Sequence, residues 1–109
     1  MRMSDVKSFF DGLADRVDKS KIQGMNKSFL FNLSGDGGGA FLVKVADGAV
    51  AVQEGATEGG DVELAMSAED FLGLVNGTLN SQMAFLSGKL KIKGDMTLAL
   101  KLQSIFNIS

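Results

Sequence analysis

The chain has 109 residues, a net charge of −2 and a pI near 4.9, and it contains no His, Cys, Trp, Tyr or Pro. Its length is typical of one domain, so we expect residues 1–109 to form a single domain. The absent residues exclude imidazole bases, thiolate nucleophiles, disulfides and the usual zinc sites, and the acidic pI argues against a nucleic-acid partner, so neither a metal nor a cofactor is predicted.

Residues 4–19 have the spacing of an amphipathic helix that Ser4 or Asp5 can cap. Asp11 and Asp15 lie on its polar face, where an acid/base pair is one interpretation and a solvated helix face is the simpler one, because paired catalytic carboxylates need a cleft. The apolar residues recur at intervals of three and four: Val6, Phe9, Phe10, Leu13 and Val17.

From residue 27 the apolar residues alternate with polar or small ones, which predicts four strands. These strands cover residues 29–33, 41–45, 50–53 and 62–66. The turns between the first three are short enough for hairpins, so these strands should be antiparallel neighbours.

The first of these turns contains the glycines from Gly35 to Gly39, and glycine-rich loops can also hold a phosphate group. A phosphate loop needs a helix directly after it. Here a second strand pattern follows, so we predict a hairpin turn.

Helical patterns return at Ser67, which can cap a helix that ends at Gly77. A second short helix is predicted for residues 81–86, and a fifth strand for residues 89–93 with Leu90 and Ile92 facing inward. The last helix, residues 96–106, is apolar around most of its circumference, which is typical of a helix that is buried on both sides or covers a ligand.

This order of elements predicts an α+β fold: a five-stranded, mostly antiparallel sheet with helices packed on one face. The longest apolar runs span only a few residues and no signal segment is visible, so we expect a cytoplasmic protein. Residues 1–75 carry a net charge of −5, whereas residues 76–109 contain four lysines and one aspartate, an asymmetry that can orient a molecule at an anionic surface.

Three segments of the second half of the chain resemble the sterol carrier protein 2 (SCP2) family of non-specific lipid-transfer domains. They are DFLGL at residues 70–74, SQMAFLSGKLKIKGDM at residues 81–96 and LALKLQ at residues 98–103. The resemblance implies that the sheet and helices enclose an apolar tunnel for a fatty acid, a fatty acyl-CoA or a sterol-like lipid, which is bound without catalysis.

The resemblance also assigns candidate ligand-binding residues by position. They lie on the three C-terminal helices and on the sheet: Phe71, Leu74, Val75, Met83, Phe85, Leu86, Met96, Leu100, Leu102, Gln103, Val43, Val52 and Leu64. Each apolar residue has ordinary core packing as its alternative. Gln103 either meets a polar head group near the tunnel mouth or lies on the surface.

Lys89, Lys91 and Lys93 have three interpretations: transient contact with an anionic membrane, binding of acyl-CoA phosphates, or solvation of an edge strand. Eukaryotic members of the family usually continue beyond the position of Gln103 with a segment that covers the cavity. We therefore expect Ile105, Phe106 and Ile108 to be exposed unless they fold inward or a homodimer covers them.

The sequence thus predicts a protein that binds and transfers, or sequesters, a lipid. The alternative is an accessory or dimerisation module that presents a lipid or an apolar groove to a partner enzyme. An enzyme would have to use Asp70 or Asp95, the carboxylates nearest the predicted cavity, and both are better explained as helix caps.

Overall fold

The computed structural model describes residues 5–55 and 59–106. The predicted α+β fold with five strands is confirmed. The helices are α1 (Val6–Asp11), α2 (Leu13–Arg16), α3 (Ala68–Asn76), α4 (Ser81–Leu86) and α5 (Met96–Ile105), with a 3-10 turn at Lys19–Lys21. The strands are β1 (Lys27–Ser34), β2 (Gly39–Ala46), β3 (Ala49–Glu54), β4 (Val62–Ser67) and β5 (Lys91–Gly94).

The sheet has the strand order β3-β2-β1-β4-β5. The pairs β1–β2, β2–β3 and β4–β5 are antiparallel. Short turns join β1 to β2 and β2 to β3, so the glycine-rich segment is a hairpin turn as predicted. The pair β1–β4 is parallel, which makes the sheet mixed. β3 lies at one edge of the sheet, and β4 lies on the far side of β1. The connection between β3 and β4 therefore has to pass both β2 and β1.

The single helix predicted for residues 4–19 is wrong, because the structure divides this segment at Gly12. Asp5 caps α1 by accepting a hydrogen bond from the Ser8 amide, while Ser4 lies outside the described residues. Glycine has a low helix propensity, and at Val17 the backbone is already extended so that this side chain enters the core. The two short helices α1 and α2 therefore replace the one straight helix that was predicted.

The core lies on one face of the sheet and is centred on phenylalanine rings. Phe10 of α1 stacks on Phe41 of β2, with ring centroids 4.2 Å apart, and on Phe71 of α3, with centroids 5.6 Å apart. Phe9 and Phe31 pack edge-on against Phe71. Stacked and edge-to-face rings are favourable beyond the area that they bury, so this cluster fixes α1 and α3 on the sheet.

The opposite face of the sheet is not wholly polar, because Leu30 and Leu42 are buried there. The segment that connects β3 to β4 returns to the sheet beside them: the Asp61 amide donates to the Ser28 carbonyl, and the Asp61 carboxylate accepts from the Ser28 amide. Gly60 adopts φ +90°, and a Cβ atom there would lie 3.1 Å from the Leu30 Cβ. The close approach of the two backbones therefore requires glycine at this position.

Two of the three C-terminal apolar residues fold inward. Ile105 and Phe106 are buried, and the Phe106 ring packs edge-on against Phe29 with centroids 5.2 Å apart. Of the two alternatives to exposure, inward folding therefore holds for these residues rather than coverage by a homodimer, while Ile108 lies outside the described residues. In the part of the chain that the structure describes, no helix is long and apolar enough to span a membrane.

Replacing Gly60 by Ala should destabilise the fold more than replacing Gly55 by Ala. Both glycines have positive φ, but only a side chain at residue 60 would meet Leu30, whereas the space at residue 55 is open. We expect a loss of about 2–4 kcal/mol for Gly60→Ala and about 1–2 kcal/mol for Gly55→Ala in urea unfolding. Equal losses would show that the connecting segment does not pack on Leu30.

Candidate functional site

A cavity of about 360 Å³ lies between the core-facing side of the sheet and helices α3, α4 and α5. Strands β1, β4 and β5 form its floor, and the three helices form its walls. The lining residues are Phe31, Leu64, Met66, Phe71, Leu74, Ser81, Gln82, Phe85, Leu90, Ile92, Met96, Ala99, Leu100, Leu102 and Gln103.

The lining is apolar and electrically neutral. Its polar side chains are a serine and two glutamines, and among the described residues no Asp, Glu, Lys or Arg contributes to it. Within the same part of the chain, no cluster of acidic side chains could hold a metal ion. Such a cavity can sequester hydrocarbon from water.

Ser81 and Gln103 form the polar contact in the cavity wall. The Gln103 side-chain amide donates a hydrogen bond to the Ser81 hydroxyl, which joins the first residue of α4 to α5. Ser81 is buried, and Asn80 caps α4 by accepting from the Gln82 and Met83 amides. The cap and the Ser81–Gln103 bond together determine where α4 lies over the cavity.

The cavity opens to solvent between α4 and α5. Three of its lining residues are also large exposed apolar side chains: Phe85 at 44% exposure, Met96 at 46% and Leu100 at 69%. A residue that both lines a cavity and meets solvent marks its mouth. Leu100 also shows that α5, predicted to be apolar on most sides, is not buried all round.

The structure brings eight of the candidate ligand-binding residues together around the cavity: Leu64, Phe71, Leu74, Phe85, Met96, Leu100, Leu102 and Gln103. The other five lie outside the lining. Val43 is buried in the core and Val75 packs against it. Val52 is partly exposed on β3 at the sheet edge, while Met83 and Leu86 are exposed on α4.

Seven lining residues were not among the candidates: Phe31, Met66, Ser81, Gln82, Leu90, Ile92 and Ala99. Sequence signals existed for two of them, since Leu90 and Ile92 were expected to face inward. The pairing of Phe31 with Leu64 and of Leu64 with Ile92 places these three side chains on one face. Ser81 was predicted only as the first residue of the short helix 81–86.

The charged residues that the sequence analysis considered lie away from the cavity lining. Lys91 and Lys93 pair with Ala65 and Glu63, which places them on the face of the sheet opposite to Ile92. Asp70 and Asp95 lie outside the lining, and the Asp95 carboxylate caps α5 by accepting from the Leu98 amide. The predicted cap role of Asp70 is wrong, because the Ser67 hydroxyl caps α3 by accepting from the Asp70 amide.

The shifted pKa values also belong to groups outside the cavity. Hydrogen bonds from the Ser8 hydroxyl and amide lower the pKa of Asp5, and those from Ser20 lower the pKa of Asp18. Partial burial lowers the pKa of Arg16, which lies over the Phe9 ring. These residues stabilise helix ends or cover the core, and they do not tune chemistry at the cavity.

Comparison with known proteins gives matches over nearly the whole chain. Residues 6–107 match the model of the SCP-2 sterol transfer family. Human hydroxysteroid dehydrogenase-like protein 2 is 36% identical over 108 residues, which cover 97% of this chain and 26% of that protein. The chain thus spans about a quarter of the length of this relative.

Two solved structures illustrate the similarity in fold. The sterol carrier protein domain 2 of Helicoverpa armigera aligns with a TM-score of 0.71 at 29% identity, covering 93% of this chain and 81% of that one. A sec-alkylsulfatase from Pseudomonas sp. aligns with a TM-score of 0.74 at 23% identity, covering 92% of this chain and 15% of that enzyme. The same fold therefore occurs both in a separate domain structure and in a much longer enzyme chain.

Replacing Ser81 by Ala should destabilise the protein by about 1–3 kcal/mol, because the Gln103 amide then loses its acceptor inside the wall. The double variant Ser81→Ala/Gln103→Leu should lose less than the sum of the two single variants. Ser104→Ala, on the exposed side of α5, is the matched control and should change the free energy of unfolding by less than about 0.5 kcal/mol. Additive losses in urea unfolding would contradict the pairing.

Proposed function

Because the chain belongs to the SCP-2 sterol transfer family, we propose that it binds a lipid in the cavity and carries or sequesters it without chemical change. The observation that carries this proposal is the neutral, apolar lining of a cavity of about 360 Å³. This volume falls in the range of about 300–1,000 Å³ that is typical of small-molecule pockets. Each Å² of apolar surface that leaves water there contributes about 25 cal/mol.

The proposed ligand contacts are the eight candidates that line the cavity, together with Phe31, Met66, Leu90, Ile92 and Ala99. Met66 and Met96 lie on opposite sides of the space, one on the sheet and one on α5. Unbranched, polarizable methionine side chains adapt to apolar molecules of different shape. The lining therefore suits several hydrocarbon shapes rather than one rigid ligand.

The polar residues restrict the head group that can enter. Ser81 and Gln103 offer a hydroxyl and an amide, which can hydrogen-bond to a hydroxyl or carbonyl group of a ligand. An ionised carboxylate or phosphate inside would lack a cation, because Lys91 and Lys93 extend from the other face of β5. We infer that a neutral polar lipid inserts completely, whereas the charged group of a fatty acid or acyl-CoA stays at the mouth.

The proposal includes one further partner, an anionic membrane, and a location. Lys89, Lys91 and Lys93 contact anionic membranes transiently, at roughly 1 kcal/mol per lysine near the surface. The protein acts in the cytoplasm, and residues 1–109 form one lipid-binding domain; both statements stay predictions from the sequence. The homodimer through Ile105 and Phe106 is not proposed, because both side chains are buried.

A second candidate function is an accessory module that presents its lipid to an enzyme. It is favoured by the length of the relatives, since the human protein is almost four times as long as the part that this chain matches. In this case the cavity binds lipid as proposed, but the mouth docks on a catalytic domain. An added catalytic partner should then bind the lipid-loaded chain more tightly than the empty one, as measured by calorimetry.

The experiment that tests lipid binding starts with the purified full chain. Mass spectrometry of an organic extract should reveal co-purified lipid, and a fluorescent fatty acid should bind saturably at one site per chain. Unlabelled fatty alcohol should displace the probe. If neither co-purified lipid nor saturable binding is found, the cavity is not a lipid site.

Ala99→Leu should reduce the affinity for long acyl chains more than for short ones, because the added side chain takes up cavity volume at a buried lining position. We expect a roughly tenfold weaker binding of the longest ligands in a displacement series. Ala51→Leu, on the exposed edge strand, is the matched control and should bind like the unmodified chain. Identical chain-length profiles for the two variants would remove Ala99 from the binding site.

A further inference from the structure

The surface around the cavity mouth is unusually apolar. We call Met83, Phe85, Leu86, Met96 and Leu100 the apolar rim. Their side chains are between 44% and 72% exposed. Helix α4 contributes three of them and buries only Ser81 and Ala84. Large exposed apolar patches on a folded protein mark surfaces that bind a partner or a membrane.

Positive charge accompanies this apolar surface. Residues 81–101, which contain the whole rim, carry four lysines and one aspartate, whereas the rest of the chain is acidic overall. Lys89 directly follows α4, and Lys101 is adjacent to Leu100. The carboxylate of Asp95, the one acidic residue in this segment, accepts a hydrogen bond from the Leu98 amide. The segment that carries the rim is therefore basic and attracts anions.

We propose that the apolar rim inserts into the interfacial region of a lipid bilayer that contains anionic head groups, with Lys89, directly after α4, and Lys101, next to Leu100, contacting those head groups. This inference rests on the proposed lipid-binding function and adds the surface through which the ligand is exchanged. Phe85, Met96 and Leu100 belong to both the rim and the cavity lining. A hydrocarbon chain can therefore pass from the bilayer into the cavity along a continuous apolar path.

The rim differs from the lysines of β5 as a docking element. Lys91 and Lys93 lie on the sheet face opposite to the cavity, so contact through them alone would leave the mouth in water. Insertion of the rim instead places the mouth in the membrane, with Lys89 at the end of α4 near the head groups. Combined apolar and basic side chains are the usual means by which proteins bind membrane interfaces.

A single tryptophan can report insertion, because the chain contains no Trp. Leu86→Trp places the reporter on the rim but outside the cavity lining, and Val52→Trp places it on edge strand β3 as the matched control. Vesicles of phosphatidylcholine mixed with phosphatidylglycerol should shift the emission of Leu86→Trp to shorter wavelength, and brominated lipids should quench it. The emission of Val52→Trp should stay unchanged.

A serine pair tests the energetic contribution of the rim. Met83 and Leu86 are 63% and 72% exposed and lie outside the lining, so Met83→Ser/Leu86→Ser should fold and bind fatty acid normally. Its affinity for the same vesicles should fall by about tenfold or more, because two large apolar side chains no longer enter the interface. Replacing Lys89 and Lys101 by Gln should instead remove much of the salt dependence of vesicle binding.

Several results would overturn the proposal. Unchanged vesicle affinity of the serine pair, or no spectral response from Leu86→Trp, would show that the rim does not insert. If the unmodified chain binds fatty acid but no vesicles, the rim serves a protein partner and lipid binding still stands. If fatty-acid binding is absent while Leu86→Trp still inserts, the proposed lipid-binding function fails, but insertion of the rim into membranes is still supported.

Discussion

The stack of Phe10 on Phe71 is the contact on which the rest of the structure depends. Phe71 belongs to the cavity lining, and its ring also packs against Phe10, which in turn stacks on Phe41 of the sheet. The cavity wall is thereby supported by a densely packed core. Because protein interiors normally close small voids by packing, an open space beside the core needs a wall that does not collapse. The ring stack supplies that rigidity.

One face of the sheet therefore contributes both to the buried core and to the cavity lining. Val43 and Val45 of β2 belong to the buried core, whereas Leu64, Met66 and Ile92 of β4 and β5 meet the cavity. The side of the sheet near β5 is covered by α4 and α5, whose exposed residues surround the mouth. The core thus lies over β2 and the cavity over β4 and β5, and the boundary between them lies at the parallel pair of β1 and β4.

Sequence patterns predicted most elements because they depend on local periodicity, and they predicted less of the site because it depends on distant contacts. The resemblance assigned Val43 and Val52 to the binding site, but it could not show that β2 and β3 lie on the side of the sheet away from the cavity. The division at Gly12 follows from tertiary packing, which overrides a helical pattern. The Ser81–Gln103 bond joins residues 22 positions apart and leaves no periodic signal.

The alternation of β5 has a consequence for the electrostatics of the protein. Ile92 faces the cavity only because it pairs with Leu64, while Lys91 and Lys93 on either side face away. A shift of this strand by one residue would exchange the two faces and bring ammonium groups into the hydrocarbon space. The carbonyl of Asp61 accepts from the Asp95 amide just after β5 and helps to hold this register. The neutrality of the cavity is therefore a property of strand alignment as much as of amino-acid composition.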